Sequence, residues 1–132
     1  MYLNQDGSFN DQMLSTFGYL SIGVPGTVAG LWDVHNKFGS LPWSVLLEDA
    51  INLAEKGFEI TPFLADILFK YNEKLSFFNE TKNIFQASFP DFKGELLIQT
   101  DLAKTLKIIS EKGRDGFYKG CLLYTSPSPR DT

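Results

Sequence analysis

The run Gly23-Val24-Pro25-Gly26-Thr27-Val28-Ala29-Gly30 fixes where this chain must turn. An apolar segment, Gly18-Tyr19-Leu20-Ser21-Ile22, leads into it, and an amphipathic one, Leu31-Trp32-Asp33-Val34-His35-Asn36-Lys37-Phe38, leads out. Glycines at such a junction permit a tight turn and close approach of a helix to a strand. Pro25 has its φ already set near the helical value and lacks the N–H that a helix start leaves unpaired. The residues therefore predict a short strand from Gly18 to Val24, a corner, and a helix from Thr27 to Phe38. Gly23, Pro25, Gly26, Thr27 and Gly30 form the candidate motif, with a structural role. On that reading Gly26→Val costs about 1–3 kcal/mol in the complete protein through backbone strain and lost close packing, and His35→Ala stays within about 0.5 kcal/mol if His35 is a surface residue.

The rest of the chain reads as mostly α with a short β contribution. Val28, Leu31, Trp32, Val34 and Phe38 recur near a 3.6 period, and Gly39 is a plausible stop. After Leu41-Pro42-Trp43 a second helix is expected from Trp43 to Lys56, burying Leu46, Leu47, Ala50, Ile51, Leu53 and Ala54 and ending at Gly57. Thr61-Pro62 pairs a capping hydroxyl with proline at the first helical position. Phe63, Leu64, Ile67, Leu68 and Tyr71 are expected to share one face of the helix that follows. Residues 75–94 read as irregular, anchored by Phe77, Phe78, Phe85, Phe89 and Phe92. Leu96-Leu97-Ile98 reads as extended. Thr100 is expected to cap a helix from Asp101 to Lys112, closed by Gly113, and Asp115 to Lys119 to open another. Asn4 to Phe9 carries an Asp-Gly turn signal.

Five blocks resemble the γ-glutamyltransferase (glutathione hydrolase) family. They are Pro25-Gly26-Thr27-Val28-Ala29-Gly30, Phe38-Gly39-Ser40-Leu41-Pro42-Trp43, Leu53-Ala54-Glu55-Lys56-Gly57-Phe58, Asp101-Leu102-Ala103-Lys104-Thr105-Leu106 and Gly116-Phe117-Tyr118-Lys119-Gly120. They stand in family order and spacing and cover most of residues 1–120. The resemblance implies a segment of the large subunit of an N-terminal-nucleophile hydrolase with an αββα sandwich. It implies transfer of a γ-glutamyl group from glutathione or a related γ-glutamyl compound to water or an amino acid, through a threonine ester, with no cofactor. The nucleophilic threonine, the substrate-binding arginine motif and the small subunit lie outside the matched blocks. The expected partners are thus the remainder of the large subunit and the small subunit. No catalytic, substrate-binding or metal-binding residue of the family maps onto this chain, which is expected to be inactive alone. The family's usual setting is periplasmic, secreted or extracellular.

Individual residues offer little independent chemistry. The family's threonine works through its own free α-amine; Thr27 is internal and lacks one, so it reads as a cap or packing hydroxyl. The glycine corner lacks the Lys-Ser/Thr ending of a P-loop and the G-x-G-x-x-G spacing. His35, the single histidine, has no Ser, Cys or carboxylate placed to make it a base, and reads as solvated or partly packed. Asn4 to Asp11 breaks the alternation of a calcium loop, and Asn79-Glu80-Thr81 is a bare glycosylation sequon.

Composition excludes further classes. The chain of 132 residues has a net charge of −4 and no basic cluster, which argues against nucleic acid. No apolar run reaches membrane-spanning length. The sole cysteine, Cys121, falls in a terminal segment unlike the rest: residues 121–132 switch to Ser-Pro repeats, which cannot continue a helix. That segment resembles a translated sequencing adapter, and 1–120 and 121–132 are read as separate units. Two other readings stay open: a cephalosporin acylase or other amidohydrolase on the same fold, and a non-catalytic helical interaction module.

Overall fold

Local residues set several of the helix boundaries. The computed structural model describes residues 21–85 and 94–119. Helix α1 spans Thr27–Phe38 and α2 spans Trp43–Lys56. Helix α3, Pro62–Lys70, starts as its sequence predicts: the Thr61 hydroxyl accepts from the Leu64 N–H at 3.3 Å, and Pro62 opens the first turn. Two short helices follow, α4 at Asn72–Leu75 and α5 at Asn79–Phe85. Helix α6 runs Thr100–Lys112 and α7 Arg114–Tyr118.

A two-stranded antiparallel sheet ties the middle of the chain together. Strand β1, Phe58–Glu59, pairs with β2, Leu96–Leu97, in the register Phe58 to Leu97 and Glu59 to Leu96. The ladder is extended by the Ile60 N–H on the Glu95 carbonyl at 2.8 Å, and beyond β2 the Gln99 N–H donates to the Ala54 carbonyl of α2 at 2.9 Å. The sheet sets the two helices flanking it, α2 and α6, side by side, and these make the main interhelical contact. Helix α7 packs on α6 and on α1.

Two small cores result. Ile60, Ala65, Leu68 and Leu97 form one, with Phe58, Leu64, Leu75 and Phe85 packed around them. Ala54, Ala103 and Ile109, buried on α2 and α6, mark the other. No polar side chain among the described residues is buried.

Several expectations need correction. Residues 22–24 carry no strand, and Val24 is 96% exposed; a strand needs a paired neighbour, and no described segment lies alongside this one. Residues 75–94 are not wholly irregular, because α5 forms within them. Thr100 is the first residue of α6 rather than its cap; Gln99 takes the cap position and no side chain caps this end. The α2 stripe divides: Ala54 is buried and Leu47 and Ile51 half-buried, whereas Leu46, Ala50 and Leu53 are exposed. Helix α3 divides likewise, with Leu64, Ala65 and Leu68 inward and Phe63, Ile67 and Tyr71 exposed. In each case the apolar residues cover a wider arc than one neighbouring element can fill. The Asp-Gly turn at 4–9, residues 18–20 of the expected strand, Phe89, Phe92, Cys121 and the segment 121–132 lie outside the described residues.

Candidate functional site

Helix α1 carries two apolar stripes, and their separation organises the region around the glycine corner. Val28, Trp32 and His35, at spacings of four and three, are half-buried and face the molecule. Leu31, Val34 and Phe38 form a second stripe, exposed, with Phe38 at 81%. The second stripe, with Leu46 and Leu47 of α2, lines an open apolar groove of about 450 Å³.

The inward stripe builds an aromatic cluster. Trp32 meets Trp43 edge to face with ring centroids 5.1 Å apart. His35 stacks near Trp32 at 6.3 Å and sits edge-on to Trp43 at 5.2 Å. His35 Nε2 lies 2.8 Å from the Leu41 carbonyl. A carbonyl only accepts, so Nε2 carries the proton and donates. Nδ1 is buried without a hydrogen-bond partner. Neither nitrogen is free to face a substrate, so His35 is a packed residue and not a general base. Of the two sequence readings, solvated or partly packed, the second is realised.

The cluster dictates two glycines. A Cβ on Gly39 would sit 2.5 Å from both the His35 Cδ2 and the His35 carbonyl oxygen. Gly39 itself has φ −68, so close approach rather than backbone conformation requires glycine there. Gly113 needs both: its φ is +58, and a Cβ would fall 2.5 Å from the Trp32 ring. The Trp43 indole N–H donates to the Ile109 carbonyl at 3.0 Å, the same carbonyl that accepts from the Gly113 N–H at 2.8 Å. The aromatic cluster thus fixes the end of α6.

The motif residues themselves are open to solvent. Gly23, Pro25, Gly26, Thr27 and Gly30 are all exposed. A Cβ on Gly23 or Gly30 would meet nothing within 4 Å, and one on Gly26 would touch only the Val24 carbonyl oxygen at 4.0 Å. The close packing expected of these glycines is therefore not made to any described residue. The cap position of α1 is Gly26, which has no side chain to cap with, and Thr27 is the first helical residue, exposed among the described residues. Tyr118 holds the corner from a distance: its hydroxyl donates to the Pro25 carbonyl and accepts from the Ala29 N–H at 3.3 Å. Sequence reasoning matched the segments around Pro25 and Tyr118 separately and did not join them. The Trp32–His35–Trp43 cluster was missed too, although Trp32 and His35 stand at an (i, i+3) spacing.

Charged groups form surface pairs. Lys107 bonds Glu55 across α6 and α2 at 2.6 Å. The Lys107 hydrogen bond first, and its charge second, hold the Glu55 carboxyl below its ordinary pKa. Lys104 does the same to Asp101 at 2.8 Å. Both shifts favour the ionised form, opposite to what a general acid needs. Among the described residues no three His, Cys, Asp or Glu side chains come together to hold a metal ion, and no helix is long and apolar enough to cross a membrane.

Comparison with known proteins places this architecture. The gamma-glutamyltranspeptidase family model matches residues 1–123. The chain is similar to the glutathione hydrolase proenzyme of Pseudomonas aeruginosa, 48% identical over 122 residues, covering 91% of this chain and 21% of that protein. It is similar to the capsule biosynthesis protein CapD proenzyme of Bacillus anthracis, 47% identical over 104 residues, covering 75% of this chain and 19% of that one. Its fold superposes on the crystal structure of Helicobacter pylori gamma-glutamyltranspeptidase with a TM-score of 0.84 at 39% identity, covering 92% of this chain and 35% of that chain. The chain spans about a fifth of the length of the curated relatives it matches.

Proposed function

We propose, from the premise that this chain belongs to the gamma-glutamyltranspeptidase family, that it is a scaffold segment of an enzyme that transfers or hydrolyses γ-glutamyl groups. The observation that carries this reading is the 48% identity over 122 residues to a glutathione hydrolase proenzyme. Within the enzyme the segment contributes the helical layer of an αββα N-terminal-nucleophile hydrolase, and glutathione or a similar γ-glutamyl compound is the substrate. The nucleophile, the arginine that holds the substrate and the small subunit come from outside the segment. Its partners are the remainder of the large subunit and the small subunit.

Two features support a scaffold role. His35 has both ring nitrogens engaged or buried, and the shifted carboxyls, Glu55 and Asp101, are held ionised by lysines. The second is exposure: the Leu31–Val34–Phe38 stripe and Phe63, at 75%, offer apolar faces of the kind that pack against neighbouring chain. Gly23, Pro25, Gly26, Thr27 and Gly30 act as a structural corner in this reading, with their close neighbours outside the described residues.

Residues 121–132 are proposed to stand apart from the enzyme sequence. The family match ends at residue 123, three residues into that segment. An independent read of the locus tests both proposals. A frame that continues past Gly120 without the Ser-Pro repeat, into a threonine followed by a glycine pair, is the expected result. Its product should release p-nitroaniline from a γ-glutamyl anilide. A read that still encodes 121–132 and then stops would overturn both.

A further inference from the structure

We infer that Tyr118 is a positioning residue, serving as the N-terminal cap of α1 from the far end of the chain. A helix start leaves its first backbone N–H groups without partners inside the helix. Ordinarily a Ser, Thr, Asp or Asn at the cap position turns its side chain back onto the second or third helical N–H. Here that position is Gly26, which has no side chain. Its backbone is also helical, at φ −95 and ψ −7, rather than extended as a capping residue's is. The third helical residue is Ala29, and its N–H is the group a local cap would satisfy. It donates instead to the Tyr118 hydroxyl at 3.3 Å, 89 residues along the chain.

The same hydroxyl reaches both sides of the corner. It donates its proton to the Pro25 carbonyl and receives the Ala29 N–H, so one oxygen brackets Gly26. The ring that carries it is held in turn. Phe117 packs edge-on at 4.9 Å, and the Arg114 guanidinium lies 5.7 Å from the ring centre. Helix α7 sits tight on α6 because Gly116 lies where a Cβ would be 2.5 Å from the Ile108 carbonyl oxygen. The direction in which residues 22–26 leave α1 is therefore set by residue 118. This assignment rests on geometry alone and is independent of the enzymatic reading.

Amide hydrogen exchange by NMR on the 132-residue chain and its Tyr118→Phe variant tests it. The substitution removes one oxygen and keeps the ring. The Ala29 amide should exchange on the order of tenfold faster in the variant, as expected for losing one hydrogen bond that guards it. The Leu64 amide, capped locally by Thr61, should be unchanged. Equal Ala29 exchange in the two proteins would overturn the assignment. Should the variant lose Leu64 protection as well, the unmutated chain decides: a cross-relaxation peak between the Tyr118 ring and the Ala29 methyl supports the cap, and its absence overturns it.

Discussion

His35 shows how far residue identity can be separated from residue role. As a lone histidine on an amphipathic helix it reads as solvated or partly packed, and nothing in its neighbours along the chain chooses between the two. The choice depends on Trp43 and Leu41, which reach it only after α1 and α2 fold back on each other. Gly26 fails in the opposite direction: its setting between Pro25 and Thr27 implies a crowded corner, yet the described residues leave it open. Within the described residues, as distinct from the complete protein, His35 is more closely packed than Gly26. His35→Ala should destabilise this chain by about 1–2 kcal/mol, chiefly through the lost contacts with the Trp32 and Trp43 rings. Gly26→Ala should cost less than about 0.5 kcal/mol, since neither backbone strain nor a clash opposes the methyl group. Urea denaturation of the two variants measures both, and a larger loss for Gly26→Ala would contradict the assignment of His35 as the packed residue.

At the scale of elements, legibility followed local signals. Helices α1, α2 and α3 lie where period, proline and glycine place them, and Thr61 caps α3 as read. Helix α5 was missed because five phenylalanines between 77 and 92 obscure any helical period. Strand β1 was missed because two residues carry no alternation, and only its pairing with β2 makes it a strand. The α6–α7 junction was legible at Gly113, though not its second reason, the Trp32 ring. Gly113→Ala should cost about 1–3 kcal/mol, from positive φ and from displacing that ring. Thermal melts with tryptophan fluorescence check it; an unchanged melt and spectrum would refute the contact. The Lys107–Glu55 bridge joins α6 to α2 between side chains 45% and 47% exposed, so its contribution is modest and salt-sensitive. Because Lys107 lowers the Glu55 pKa in the folded state, the bridge stabilises at neutral pH and its contribution is lost as pH falls through the carboxylate range. Native chain and Lys107→Met should thus differ more in melting temperature at about pH 7 than at about pH 3. A gap that widens in acid would reverse the sign and contradict the pairing.

At the scale of the whole molecule, the family was legible because several short blocks stand in register, and the mainly helical character because most of the described residues are helical. Burial was not legible. Periodicity marks which residues are apolar, but Leu31, Val34, Phe38, Leu46, Leu53 and Phe63 remain exposed because the faces that would cover them belong to no described element. The central proposal is that this segment supports the chemistry of a γ-glutamyl enzyme without performing it. Its most direct test is release of p-nitroaniline from a γ-glutamyl anilide, measured for the 132-residue chain and for the longest polypeptide its locus encodes, each with and without Thr27→Ala. The account predicts no release above buffer from the 132-residue chain, and release by the longer polypeptide that survives Thr27→Ala within about threefold, since substitution of an exposed side chain away from reacting atoms has small effects. Release by the 132-residue chain that disappears on Thr27→Ala would contradict it.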